Sequence, residues 1–260
     1  MTAFMVFIFG SIVGSFLNVC IHRMPREESI VSPGSHCPHC AKPIAWYDNI
    51  PLLSFLILRG RCRHCPARIS GRYFAVELAN ALIWLGLWLR FGTGAFFYAG
   101  AVFFSILLAV TMTDFETGYI PDKLSLPGCL AGLVLSAIFP VLQGRGIWYW
   151  GLWESFKGLL GGGAVLILVG WVGEKIFKKE SMGGGDVKLL AMMGAFLGLR
   201  HALLIFFVAP FAAIPFALHM KFFRKAETIP YGPFLAVTGA AFYVAGDPIA
   251  RFIMHLYGVS

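Results

Sequence analysis

The feature that most constrains this chain is the recurrence of long apolar runs along its whole length. A run of about 18 residues or more can cross the roughly 30 Å hydrocarbon core of a bilayer as a helix. Charged residues make up 13% of the sequence, whereas a typical soluble domain carries about 25%. The hydrophobicity is continuous rather than alternating, which predicts helices rather than a barrel. We therefore predict an all-α polytopic membrane protein.

Eight transmembrane helices are predicted, at about 4–21, 73–91, 95–113, 124–140, 156–174, 187–199, 201–220 and 231–254. The first run has no basic segment before it and no small-residue cleavage site, so we expect a retained helix rather than a signal peptide. The one long polar stretch, 22–72, is predicted to form a small domain between the first two helices. The predicted domains are thus the first helix (1–21), the loop domain (22–72) and a seven-helix membrane domain (73–260).

The distribution of basic residues predicts the orientation. Eight of the twenty-one Lys and Arg residues lie in 22–72, and a cytoplasmic excess of such residues is the general rule. The loops on the same predicted side add Lys123, Lys175, Lys178, Lys179, Lys188, Lys221, Arg224 and Lys225. The opposite side has only Arg90, Arg145, Arg200 and Arg251, and Lys157 is ambiguous. Both termini are therefore expected outside.

The net charge of +8 is spread over short loops without an aromatic-interleaved patch, so we expect no nucleic-acid partner.

Four of the six cysteines form two C-x2-C pairs, Cys37/Cys40 and Cys62/Cys65. Two such knuckles complete a tetrahedral thiolate shell, which is typical of structural zinc. The alternatives are disulfides, which a reducing cytoplasm disfavours, and ligation by His36, His39 or His64. Arg61 and Arg63 are expected to offset the thiolate charge. A closed shell leaves no open position for a substrate, so the metal is expected to stabilise the loop domain rather than to catalyse.

Two of the five aspartates, Asp114 and Asp186, are predicted at the cytoplasmic ends of their spans. Ionisable groups within spans are functional candidates. Two facing carboxyl groups can share one proton, so one activates water while the other donates to a peptide carbonyl. The glycines Gly183, Gly184 and Gly185 would allow a substrate backbone to approach closely. The alternative is that both acids are ordinary helix-end residues.

The remaining unusual residues receive structural interpretations. Asp122 is expected to be an N-cap, and Asp247 to have a structural role. The small-residue stretch 158–164 is expected to allow close helix packing rather than phosphate binding. Glu77, inside the second span, is expected either to pair with a loop cation or to serve the site, and the sequence does not decide between them.

The ordered set of motifs resembles the type IV prepilin peptidase family over nearly the whole chain. The motifs are Gly14-Ser-Phe-Leu-Asn-Val-Cys-Ile-His-Arg-Met-Pro25, the two cysteine pairs, Trp46-Tyr-Asp-Asn-Ile-Pro51, Ile69-Ser-Gly-Arg-Tyr73, Glu77, Asp114 with Ile120-Pro-Asp122, Gly183-Gly-Gly-Asp-Val-Lys188 and Ile229-Pro-Tyr-Gly-Pro-Phe234.

This resemblance implies an enzyme of the bacterial inner membrane whose catalytic pair falls on Asp114 and Asp186. Its substrates would be prepilins and pseudopilins in contact with membrane lipid, cleaved after a glycine that ends a short basic leader. Gly183, Gly184, Gly185 and Lys188 are the expected substrate-binding residues. The new N-terminus would be methylated from S-adenosylmethionine, although no Rossmann-type glycine motif marks a cofactor site. Many relatives have another aspartate where Glu116 stands.

Two functions of other classes fit some of the same features. A transporter or channel with a zinc module would also contain intramembrane acids, but these should lie near the bilayer midplane. A noncatalytic assembly scaffold would tolerate replacement of both acids by Asn.

Overall fold

A computed structural model describes residues 1–178, 182–219 and 231–256. Several residues used above lie outside the described residues: Lys179, Lys221, Arg224, Lys225, Ile229 and Pro230. Within the described residues the chain is helical, and β structure is limited to two isolated bridges, His36 with Pro43 and Arg61 with Arg68.

Eight α-helices follow one another in the described chain: α1 Ala3–Arg23, α2 Leu53–Ile57, α3 Gly71–Phe91, α4 Ala95–Thr117, α5 Asp122–Ile138, α6 Trp148–Phe177, α7 Gly184–His219 and α8 Gly232–Leu256. Short 3-10 turns occupy Met24–Arg26, Trp46–Asn49 and Pro140–Gln143. Six helices are long and apolar enough to cross a membrane, namely α1, α3, α4, α6, α7 and α8. Helix α5 is a shorter apolar helix of 17 residues.

The predicted all-α membrane architecture is confirmed, with two differences in detail. Helix α7 covers the sixth and seventh predicted spans, and Gly198, with φ 79° and ψ 169°, breaks its helical geometry between them. Divided there, the long helices number eight in the described chain, as predicted. Helix α6 begins at Trp148 rather than near residue 156, because the aromatic run that precedes the apolar core is also helical.

The structure divides into two compact units, Met1–Ala109 and Val110–Ser260. In the first unit α1 packs closely on α3. A Cβ at Gly10 would lie 2.8 Å from the Cα of Ala81, and one at Gly14 would lie 2.8 Å from the Cα of Glu77. The fully buried Asn80 donates to the Gly10 carbonyl at 2.7 Å. These contacts require glycine on α1 and fix the two helices at short range.

In the second unit α6 and α7 cross at small residues. A Cβ at Gly158 would lie 2.1 Å from the Gly194 carbonyl oxygen, and one at Gly162 would lie 2.6 Å from the Leu190 oxygen. The close packing predicted for 158–164 is therefore confirmed.

The break at Gly198 leaves carbonyl groups of α7 without their usual helical partners, and side chains take over. The Ala195 oxygen accepts from Ser155 Oγ at 2.6 Å and from Gln143 Nε2 at 3.1 Å. Gln143 also donates to Phe196 O at 3.2 Å. A kink in a membrane helix persists when neighbouring polar groups satisfy its freed carbonyls in this way.

Candidate active site and metal-binding loop

Asp114 lies in the last turns of α4 and is 6% exposed. Its Oδ2 accepts the backbone N–H of Gly232, the first residue of α8, at 3.0 Å. This bond fixes the orientation of the carboxyl group. It also brings the end of α4 to the start of α8, across 118 residues of sequence.

Asp186 is half-buried in the first turn of α7. Asp114 and Asp186 are linked in the fold through Ile120. Ile120, which is 4% exposed, contacts both sides of the site. A Cβ at Gly185 would lie 2.8 Å from Ile120 Cβ, and one at Gly232 would lie 3.1 Å from Ile120 Cδ1. The structure therefore brings the two predicted acids together, with Ile120 packed against the backbone on both sides.

The three glycines before Asp186 have different surroundings. Gly183 and Gly184 are exposed, and the position of a Cβ on Gly184 is open space. A Cβ on Gly183 would lie 3.1 Å from Asp186 Oδ2. Gly185 instead packs on Ile120, so its lack of a side chain serves helix packing. Close approach of another chain is sterically open only at Gly183 and Gly184.

Three residues of the site had no role in the sequence-based prediction: Ile120, Tyr231 and Gly232. Tyr231 immediately precedes Gly232, the first residue of α8. All three residues lie in motifs that carry the family resemblance, Ile120-Pro-Asp122 and Ile229–Phe234. A backbone N–H donor leaves no mark in a sequence, and the partner of Asp114 could not be read from it.

The other acids were assigned structural roles, and their positions are now defined. Asp122 is the first residue of α5 and Pro121 occupies the N-cap, so the N-cap prediction was wrong by one residue. Its carboxylate pairs with Lys188 Nζ of α7 at 2.6 Å. Substrate binding by Lys188 therefore stays a prediction. Asp247 lies on α8, about four turns beyond Gly232, with its carboxylate 3.7 Å from His201 Nε2.

The predicted tetracysteine cluster is assembled in the loop. The sulfurs of Cys37, Cys40, Cys62 and Cys65 all lie within 4.8 Å of one another, an arrangement that can hold a metal ion. The Cys37 and Cys65 sulfurs are 3.8 Å apart, which matches the edge of about 3.8 Å that follows from Zn–S bonds of about 2.3 Å in a tetrahedron. Hydrogen bonds from the backbone N–H groups of Cys40 and His39 lower the pKa of Cys37 to about 6. At Cys65, a hydrogen bond with the Ala67 backbone is outweighed by desolvation and contacts with the other three sulfurs, which raise the pKa of that thiol to about 11. A bound metal requires deprotonated thiols.

The two knuckles have the same backbone design, 25 residues apart. The N–H of Cys37 donates to Lys42 O at 3.0 Å, and the N–H of Cys62 donates to Ala67 O at 2.9 Å. The outer pairs are Ile44 N–H to Ser35 O and Ile69 N–H to Gly60 O. Each knuckle is therefore a small hairpin that turns its two sulfurs to one side. In the sequence, an isoleucine seven residues after the first cysteine of each pair marks this repeat.

Arg63 has a partner that the sequence did not indicate. It forms a bidentate ion pair with Asp48, at 2.6 Å from Nε and 2.5 Å from Nη2, and lies over the Tyr47 ring at 5.5 Å. The hydrogen bond and charge of Arg63 lower the pKa of Asp48. Arg63 thus ties the second knuckle to the 3-10 turn at Trp46–Asn49, and its part in offsetting thiolate charge stays a prediction.

Glu77 contacts the backbone of the loop. Its Oε2 accepts the backbone N–H of Leu52 at 2.8 Å. Leu52 has φ +62°, an unusual conformation for a residue with a side chain. Glu77 therefore anchors the loop backbone to α3.

Two family models and several relatives match this chain along most of its length. Residues 8–91 match the model of the bacterial peptidase A24 N-terminal domain, and residues 101–218 match that of the type IV leader peptidase family. A protein of Aeromonas hydrophila named prepilin leader peptidase/N-methyltransferase is 36% identical, over 96% of this chain and 93% of its own length. Proteins with that name from Myxococcus xanthus and Neisseria gonorrhoeae are 41% and 31% identical, over 77% and 95% of this chain. The match spans 58% of the length of the Myxococcus protein and 91% of the Neisseria protein. No solved structure matches.

Proposed function

This chain belongs to the type IV leader peptidase family, and from that premise we propose that it cleaves the short basic leader of prepilins and pseudopilins and then N-methylates the new N-terminus. The single observation that carries the peptidase proposal is geometric: Ile120 packs both on Gly185, next to Asp186, and on Gly232, whose N–H binds Asp114, beside exposed glycines. The substrate class and the methylation follow from the names of relatives that align over nearly the whole chain.

We propose that the two aspartates act as a dyad that shares one proton. The ionised carboxylate takes a proton from water as the water attacks the peptide carbonyl carbon. The protonated carboxyl group donates to the carbonyl oxygen, and collapse of the tetrahedral intermediate transfers a proton to the leaving amine. The Gly232 N–H holds Asp114 in one orientation, which favours a fixed attack geometry.

The open space at Gly184 and the exposure of Gly183 support an approach of the substrate backbone at the start of α7. We propose that the apolar stem of the substrate enters from the lipid while the basic leader stays on the cytoplasmic side. This orientation rests on the excess of Lys and Arg in 22–72 and on the position of both acids at span ends.

The ends of the spans also argue against a transporter. Asp114 lies three residues before the end of α4 at Thr117, and Asp186 is the third residue of α7. Ion-coupling acids are expected near the bilayer midplane. The midplane lies about ten helical residues from the end of a membrane-spanning helix, whereas both acids lie within three residues of a helix end.

We propose that the cluster of Cys37, Cys40, Cys62 and Cys65 holds a structural zinc ion. When bound, the ion would crosslink the two knuckles and supply no open coordination position. The residues that bind S-adenosylmethionine stay unassigned. The loop is the element we associate with methylation, because the resemblance covers it completely.

Leader cleavage of a purified prepilin by reconstituted wild type, Asp114→Asn and Asp186→Asn tests the dyad. Asn keeps the size of the side chain and removes the ionisable proton, so both variants should lose cleavage by about 10³-fold or more, the scale of a lost acid–base group and its electrostatic contribution. Asp247→Asn, on α8 about four turns away from Gly232, is the matched control and should cleave normally. Metal content and expression should be equal in all four proteins. Cleavage by either dyad variant at the control rate would instead favour the scaffold.

A further inference from the structure

The loop between α1 and α3 exposes a group of apolar side chains that the proposed function does not use. They lie in residues 46–57, which we call the interfacial segment. Trp46 is 80% exposed, and Leu53, Leu56 and Ile57 are 50%, 61% and 64% exposed. Contiguous exposed apolar side chains in a polar loop mark a surface that is covered by something other than water.

Helix α2 buries its polar residue and exposes apolar ones, the opposite of a surface helix in a soluble domain. Its polar Ser54 is 7% exposed and donates to the Tyr47 carbonyl at 2.9 Å. Phe55 contacts Phe74 of α3, with ring centroids 5.3 Å apart. Leu56 and Ile57 consequently point away from the protein, so the fold directs this apolar face outward.

The depth of the segment is fixed by its contacts with α3. The Leu52 N–H binds Glu77, which is about 9 Å along the axis from the start of α3 at Gly71. Helix α3 has 21 residues and is therefore about 32 Å long, close to the roughly 30 Å thickness of the hydrocarbon core. It has no spare length outside the bilayer. Residues held beside its first two turns therefore lie at the membrane boundary.

Charge at the end of the segment points to the same partner. Arg59, Arg61 and Arg68 are exposed and follow it directly. Residues 46–72 contain five arginines and one acidic residue, Asp48. Basic side chains next to exposed aromatic and aliphatic ones are typical of segments that bind anionic lipid surfaces.

We propose that residues 46–57 form a monotopic membrane anchor, in which Trp46, Leu53, Leu56 and Ile57 enter the boundary between headgroups and acyl chains while Arg59, Arg61 and Arg68 contact anionic headgroups. The tetracysteine loop is thereby held against the bilayer rather than projecting into water. The occupant of the apolar face is lipid. The anchor is attached to the rest of the first unit at two internal points, Asp48, bound to Arg63, and Leu52, bound to Glu77.

The test uses the full-length protein in nanodiscs with an environment-sensitive noncanonical amino acid placed at position 56. The matched control carries the same label at Val31, which is 84% exposed in the same loop. We expect several-fold weaker quenching by aqueous iodide at position 56 than at position 31, and quenching by acyl-brominated lipid at position 56 alone. Equal metal content in both labelled proteins shows that the loop is folded.

Equal iodide quenching at the two positions would overturn the proposal, and this is also the result expected if another protein normally covers the face. The arginine contribution has its own test, because replacing anionic by zwitterionic lipid should raise iodide quenching at position 56. Quenching that does not depend on lipid charge would overturn that part. Leu56→Asp together with Ile57→Asp should abolish the protection of a label at position 53, whereas Val31→Asp should leave it unchanged.

Discussion

At the scale of single residues, Gly232 links backbone geometry to the proposed chemistry. A Cβ at this position would lie 2.7 Å from Asp114 Oδ2 and 3.1 Å from Ile120 Cδ1, both closer than ordinary contact. Gly232→Ala should therefore displace the Asp114 carboxyl group and reduce cleavage by about 100-fold, the scale expected for a misplacement of about 1 Å.

The measurement is kcat for leader cleavage at equal metal content and equal thermal stability. Gly86→Ala is the matched control, since Gly86 is also helical but has no atom within 4 Å of a new Cβ. Normal cleavage by Gly232→Ala would show that the Asp114–Gly232 contact has no part in the reaction.

Lys188 can be assigned by comparing it with its partner. Its ammonium is 2.6 Å from Asp122 Oδ1, and both side chains are partly exposed, so the pair is expected to stabilise the fold by about 0–1 kcal/mol. If Lys188 acts only through this pair, Lys188→Gln and Asp122→Asn should lower the melting temperature slightly and equally, with KM unchanged. If Lys188 binds the substrate, Lys188→Gln alone should raise KM.

At the scale of helices, the crossing of α6 and α7 provides a matched pair of glycines on one helix. A Cβ at Gly158 would meet the Gly194 carbonyl oxygen at 2.1 Å, whereas a Cβ at Gly163 would meet only Ala191 Cβ at 3.5 Å. Gly158→Ala should separate the helices and destabilise the protein by about 1–3 kcal/mol or more. Gly163→Ala should be tolerated. The thermal unfolding midpoints of the two detergent-solubilised variants are compared. Similar midpoints would contradict close contact between α6 and α7 at Gly158.

The sequence predicted the helices well because each is a long apolar run, and the cysteine cluster because C-x2-C spacing encodes its own geometry. It could not predict the start of α6, since Trp148 and its aromatic neighbours resemble interface residues as much as helix. It could not show the partners of Asp114 and Glu77 either. Both carboxyl groups bind backbone N–H groups, which every residue except proline possesses.

The sequence also gave no sign that Ala195 would need side-chain donors, because the break at Gly198 depends on three other elements. Ser136 of α5, Gln143 and Ser155 of α6 all contribute to that region. Local patterns specify which segments are helical. Which side chains donate hydrogen bonds to the carbonyl groups freed at a helix break depends on tertiary packing, which only the folded chain shows.

At the scale of the whole molecule, the proposed zinc site and the proposed dyad belong to different compact units. The four cysteines lie within Met1–Ala109, and Asp114 and Asp186 lie within Val110–Ser260. Each unit has internal contacts that hold its own site, such as Glu77 with Leu52 in the first and Gly232 with Asp114 in the second. Removal of the metal should therefore unfold the knuckles without disordering the aspartate pair.

Cys37→Ser combined with Cys62→Ser removes one sulfur from each knuckle and should abolish zinc binding, as should a strong chelator applied to the wild type. We expect faster hydrogen exchange in residues 35–69 and unchanged exchange at 184–190. Leader cleavage should persist while methylation of the cleaved product is lost. Cys20→Ser, at a buried position in α1 outside the cluster, controls for the loss of a thiol. Simultaneous loss of cleavage, with faster exchange at 184–190, would show that the metal also supports the second unit and that the two activities are not separable.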